Sequence, residues 1–131
     1  MLWPIQALPC FVTGPDVISS IEGWAARRAS PSGQRTGVAS RLLVLAGAED
    51  VLCTPDVLRD AAQRYEEAFQ HCVRAGELDG LSDGDVGVGN GRVDDWEGVR
   101  YEVVQGLGHH MQNHVEWERG AQVVLKWLQQ L

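Results

Sequence analysis

Residues 41–50 read RLLVLAGAED, and the fold of the chain turns on how this stretch is read. Leu42 to Ala46 is an apolar run without alternation, which suits a strand covered on both faces in a parallel sheet. Gly47 closes the run, and Glu49 and Asp50 follow it in the turn. Thr54 and Pro55 then make a helix start, a hydroxyl cap followed by a proline whose missing N–H is harmless at the first helical position. Leu58, Ala61, Ala62, Tyr65, Phe69 and Cys72 recur at helical spacing, so the helix is predicted to run to about Arg74, with Gly76 as its stop.

Downstream, VRYEVVQG restores a strand from Val99 to Val104, closed by Gly106 and Gly108. A final amphipathic helix is predicted with Trp117, Ala121, Val124, Leu125 and Leu128 on one face. The order strand, helix, strand, helix predicts an α/β fold: a βαβα unit with parallel strands joined by a right-handed crossover. Between the first helix and the second strand lie residues 76–98, GELDGLSDGDVGVGNGRVDDWEG. With so much glycine and aspartate this segment is expected to be a long surface loop. Upstream, PDVISSIEGWAARRA is read as a short helix capped by Asp16, with Val17, Ile18, Ile21, Trp24 and Ala25 on one face. The stretch SPSGQRTG at 30–37 reads as an exposed connection.

The whole chain of 131 residues is one domain or part of one. Its net charge of −7 argues against nucleic acid or an anionic membrane as partner, because both demand a positive surface. Three cysteines, Cys10, Cys53 and Cys72, without C-x-x-C spacing fit a reducing compartment. The opening MLWPIQALPCFV lacks a basic start and is broken by Pro4, Gln6 and Pro9. It is read as neither a signal peptide nor a membrane span, and a cytoplasmic location is expected.

The two strand-ending turns carry the chemistry. The carboxyl ends of parallel strands are where α/β proteins place their sites. Asp50 leaves one such end and His109 and His110 leave the other. A carboxylate that accepts from imidazole Nδ1–H fixes the tautomer and leaves Nε2 to act as a base. RLLVLAGAEDVLCTPD followed by VRYEVVQGLGHHMQN resembles the C-terminal portion of an α/β-hydrolase. Asp50 falls on the acid of that family's G-x-x-D turn (GAED), and His109 on the histidine of its G-x-G-H turn (GLGHH). The resemblance covers residues 38–131, with 76–98 as an insertion, and leaves residues 1–37 as a candidate remnant of a cap or lid. It implies an acid and a histidine of a catalytic triad, Asp50 and His109, with the nucleophile-bearing half of the fold lying elsewhere. His109 is favoured over His110 because it directly follows the second turn glycine.

GLSDG at 80–84 matches the G-x-S-x-G of a nucleophile elbow, but RAGELD before it holds no strand and DVGVGNG after it cannot be helical. In the resembled family the serine precedes the acid and the histidine, whereas Ser82 lies between them. Ser82 is therefore read as a coincidental match, and Ser19, Ser20, Ser30, Ser32 and Ser40 lack the elbow pattern. Cys53, close to Asp50, is read as a structural cysteine. His110 and His114, four apart, could begin a metal site with His109 or Glu118, but HHMQNH lacks the glutamate of H-E-x-x-H, and no metal is assigned. DGDVGVGNG lacks the lysine and the setting of a phosphate loop, and Asp83 and Asp85 lack the closing glutamate of a calcium loop. No cofactor is implied.

Three functions stay open: a hydrolase fragment without activity of its own, one part of a completed hydrolase for ester, amide or epoxide substrates, and a noncatalytic binding module. A small-molecule substrate is expected only if the fold is completed. Two strands leave two sheet edges unpaired, so marginal stability or association through those edges is expected.

Overall fold

The computed structural model describes residues 13–25, 27–29, 35–86, 92–93 and 96–131. The apolar opening with Cys10, the centre of the 30–37 connection, and most of the glycine run after Val86 lie outside the described residues. The fold is mixed α/β. In chain order it comprises α1 (Gly14–Ser20), β1 (Arg27–Ala29), β2 (Arg35–Val38), β3 (Leu42–Gly47), α2 (Pro55–Arg74), β4 (Val99–Val104) and α3 (Trp117–Leu128), with single 3-10 turns at Asp83–Asp85 and Met111–Asn113. β1 and β2 pair antiparallel, β3 and β4 pair parallel, and no further strand joins either sheet among the described residues.

The β3–β4 pairing runs in unbroken register from Leu42 opposite Val99 to Gly47 opposite Val104. Both strands therefore end level, and the turns that follow leave the same edge. α2 forms as its signals demand: the Thr54 hydroxyl accepts from the Val57 N–H at 3.5 Å, Pro55 occupies the first turn, and the helix ends at Arg74. Its inner stripe puts Ala62, Phe69 and Cys72 against the rest of the chain, with Phe69 and Cys72 wholly buried. Burial pushes the Cys72 thiol up to about 11, helped by the neighbouring Glu77 and Asp16 carboxylates, so it stays protonated and packs as a small apolar group.

One acid lies on that apolar face. Glu66, 5 % exposed, accepts from the Gly98 and Val99 N–H groups at 2.9 Å through Oε2. Its Oε1 accepts from the Glu97 N–H at 3.1 Å and from the Gln70 amide at 3.0 Å. The carboxylate thus satisfies the backbone donors where β4 begins, groups that would otherwise be orphaned in the interior. At the same place a Cβ on Gly98 would overlap the Phe69 ring, so only glycine lets the strand lie against α2. Tyr101 adds a second tie by donating its hydroxyl to the Pro55 carbonyl at 2.6 Å.

Four details differ from the sequence reading, each for a local reason. α1 is capped by Thr13 rather than Asp16: Asp16 sits at N3 and accepts from the Thr13 N–H and hydroxyl, completing a capping box. The helix ends at Ser20, and Trp24 folds back from beyond it to stack on Phe69, with ring centroids 4.8 Å apart. Residues 35–37 belong to β2 rather than to a connection. The 76–98 segment is not only solvated loop, because Leu78, Leu81, Val86 and Trp96 are buried. The first three join Ile18, Trp24, Val38, Phe69 and Cys72 in one core, and Trp96 packs with Ala62 and Val99. Gly76 and Gly80 adopt positive φ, and those turns fold the isolated leucines inward.

The fourth difference concerns α3. Its buried contact point is Gly120, flanked by half-buried Val123, Val124 and Trp127. Trp117, Leu125 and Leu128, expected on the covered face, are half exposed or more. Trp127 donates its indole N–H to the Ser40 carbonyl at 2.7 Å, which pins the end of α3 beside the start of β3.

Glu66→Ala leaves the donors at the start of β4 without partners, and it is expected to destabilise the chain by about 3 kcal/mol in denaturant unfolding. Glu66→Gln, which keeps one acceptor oxygen, should cost clearly less than the alanine.

Candidate functional site

The turns after β3 and β4 are laced together by backbone hydrogen bonds. The Ala48 N–H donates to Val104 O at 3.0 Å and the Glu49 N–H to Leu107 O at 3.0 Å. The crossing is so close that a Cβ on Gly47 would stand 2.5 Å from Leu107 O and 2.7 Å from Gly108 O. Gly47 is needed here for space, because its own backbone is ordinary strand. Gly106 is needed for conformation, with φ +78° in the reversal after β4. Leu107 is fully buried and touches the point where Gly120 brings α3 in, a packing contribution of roughly 2 kcal/mol. Arg119 completes the anchor by donating to Gln105 O at 3.2 Å while pairing with Glu116 at 2.8 Å.

This scaffold brings Asp50 to His109. Asp50 Oδ2 lies 2.9 Å from His109 Nδ1. Asp50 is buried, whereas the His109 side chain is 40 % exposed. The other carboxylate oxygen, Oδ1, accepts from the Leu52 and Cys53 N–H groups, each at 2.9 Å. Burial alone would raise the Asp50 carboxyl. The Cys53 N–H, the His109 ring and the Leu52 N–H outweigh it and hold the carboxyl below its ordinary value. An ionised carboxylate can only accept, so the proton on the shared bond belongs to Nδ1, and Nε2 is the nitrogen left for a reacting group.

His110 is exposed and meets His109 edge-on, with ring centroids 5.0 Å apart. His114 uses its Nδ1 to accept from the Glu116 N–H at 3.2 Å. The stretch between them forms a 3-10 turn rather than an α-helix, so the two do not share a helical face as their spacing suggested. Glu49 is exposed.

Ser82 caps the Asp83–Asp85 turn, its hydroxyl donating to Asp85 at 2.8 Å, and among the described residues it has neither a strand directly before it nor a long helix directly after it. The other described serines also have hydroxyl partners: Ser19 on Asp16 O, Ser20 on Val17 O and Ser40 on Glu97 O. Ser40 precedes β3, a strand's length from the His109 edge.

The place of Cys53 beside His109 and the role of Glu66 on α2 were not anticipated from the sequence, which read Cys53 as a structural cysteine only. Cys53 is half buried, and Asp50, Cys53 and His109 offer ligand atoms that all lie within 4.8 Å of one another. The D-x-x-C spacing straight after the strand was the available signal. Glu66 was legible as an acid at an apolar position of α2. Comparison with family models, with curated proteins and with solved structures finds no match. No described helix is long and apolar enough to cross a membrane.

A carboxyl held down in the folded state contributes stability that is present above its unfolded value, near 3.8, and is lost as pH falls through the lower folded value. Asp50→Asn is therefore expected to flatten this part of the acid unfolding curve, followed by circular dichroism below pH ~4. Gly47→Ala should separate the two turns and cost about 3 kcal/mol, read by the same unfolding measurement.

Proposed function

We propose that this chain is a C-terminal portion of an α/β-hydrolase-like protein, carrying the acid and the histidine of a triad but not the nucleophile. The observation that carries the reading is the 2.9 Å contact from Asp50 to His109 Nδ1 at the carboxyl edge of two parallel strands. Asp50 orients the ring, fixes the Nδ1–H tautomer and stabilises the imidazolium when it forms. Nε2 takes the proton of an incoming hydroxyl as that oxygen bonds to the substrate's electrophilic carbon, then returns it to the leaving group. The chain alone lacks the attacking group, so it is inactive alone.

A second reading, in which another segment or chain supplies the missing half and turnover follows, has its own support. The turn that presents Asp50 also exposes Val51 and Leu52, at 84 % and 73 %, and Val115 beyond His109 is 92 % exposed. β3 and β4 each keep one edge unpaired among the described residues. Apolar side chains beside a site and open sheet edges are what a missing layer of the same fold would cover. Ester, amide and epoxide substrates stay equally open, because a pocket would be lined by that layer.

A fluorophosphonate probe tests the proposal directly, since it labels only an activated nucleophile. The chain alone should remain unlabelled and should not turn over p-nitrophenyl esters. Labelling that disappears in Ser82→Ala would overturn the assignment. When an N-terminal half bearing a strand–G-x-S-x-G–helix segment is supplied, His109→Ala should lower the restored turnover ~10²–10⁴-fold, and Ser82→Ala should leave it unchanged.

A further inference from the structure

The geometry points to a second use of the same edge: Asp50, Cys53 and His109 form a three-donor site for a zinc-like divalent cation. The inference does not rest on the hydrolase reading, because it requires Cys53, which that reading leaves idle.

The three donors come from two turns locked to each other through Gly47, so folding alone assembles them. A carboxylate, a thiolate and an imidazole are a borderline-soft set, which favours zinc over magnesium or calcium. Donors bound at about 2.0–2.3 Å around a tetrahedral ion stand roughly 3.3–3.7 Å apart. Mutual separations within 4.8 Å therefore need only small side-chain rotations to close on an ion.

The carboxylate is already oriented. Its Oδ1 is held by the Leu52 and Cys53 N–H groups, the kind of outer hydrogen bonding that fixes a ligand for a metal. Oδ2 is bonded to a single ring nitrogen, an exchangeable partner. Binding replaces the thiol proton of Cys53, which leaves to solvent; the neutral His109 ring moves its proton from Nδ1 to Nε2 through solvent, so that Nδ1 contributes a lone pair in place of its hydrogen bond to Asp50. Three protein donors leave a fourth position to water. His110 and His114 take no part, since neither belongs to the cluster of mutually close donors.

Metal and acid–base chemistry at this edge exclude each other. An imidazole and a carboxylate that hold zinc cannot also act as a paired base.

The test uses the full chain, freed of metal by a chelator and titrated with zinc chloride by calorimetry, then with cobalt(II) chloride by absorption spectroscopy. One equivalent should bind saturably, and cobalt should give a thiolate-to-metal charge-transfer band in the near ultraviolet. Cys53→Ala should abolish that band, and Cys53→Ser and His109→Ala should each weaken zinc binding about tenfold or more. His110→Ala and His114→Ala should leave it intact. Cys53 is half buried and belongs to neither core cluster of the described residues, so its variants should keep the wild-type circular dichroism spectrum. Absence of saturable one-to-one binding, a cobalt–thiolate band that survives Cys53→Ala, or binding lost with His114→Ala would each overturn the inference. Failure of the hydrolase reading shows itself separately, in fluorophosphonate labelling of the metal-free chain.

Discussion

The contact on which the site depends is the crossing of Gly47 with the backbone of Leu107 and Gly108. Carbonyl oxygens occupy the volume where any other residue would place a Cβ. The crossing closes only because β3 and β4 end level in parallel register, and because the Ala48 and Glu49 amides find acceptors in the opposite turn. Asp50 and His109 then need no long-range search. Each stands within a few residues of a rigid backbone junction, and the carboxylate is oriented by two N–H groups before it meets the ring. Elements farther away serve the same junction. Glu66 fixes the start of β4, Gly120 lets α3 settle on Leu107, and Arg119 ties the reversal after β4.

Much of this was legible in the sequence because it depends on local chemistry. Both parallel strands, the Thr54–Pro55 start of α2 and its end at Arg74 follow from apolar runs, a cap and a stop glycine. The proximity of Asp50 to His109 follows from two turns leaving one sheet edge. What stayed hidden was decided by packing. Leu78, Leu81 and Val86 are isolated among glycines and aspartates, so no period announces their burial. The packed face of α3 centres on Gly120, which carries no apolar side chain, and the stripe of large residues points to a neighbouring face instead. Glu66 is a charge on an apolar face, and its partners are backbone amides more than thirty residues away. Cys53 comes beside His109 only through the turn that Asp50 itself caps.

The two chemistries proposed for this edge have different requirements. Acid–base work needs the bond between Asp50 and Nδ1 intact and Nε2 open. Metal binding needs that bond exchanged for an ion shared with Cys53. Val51, Leu52 and Val115 around the edge are exposed, and Trp117, Leu125 and Leu128 of α3 are half exposed or more.

Everything at this edge depends on Asp50 holding the His109 ring through Nδ1–H in the folded chain. Two-dimensional 15N spectra of the labelled imidazoles, recorded on the metal-free chain at neutral pH, read the tautomer of each ring directly. Neutral His109 should carry its proton on Nδ1, and Asp50→Asn should remove this preference while leaving His110 and His114 unaffected. A His109 ring protonated on Nε2, or one indifferent to Asp50→Asn, would contradict this.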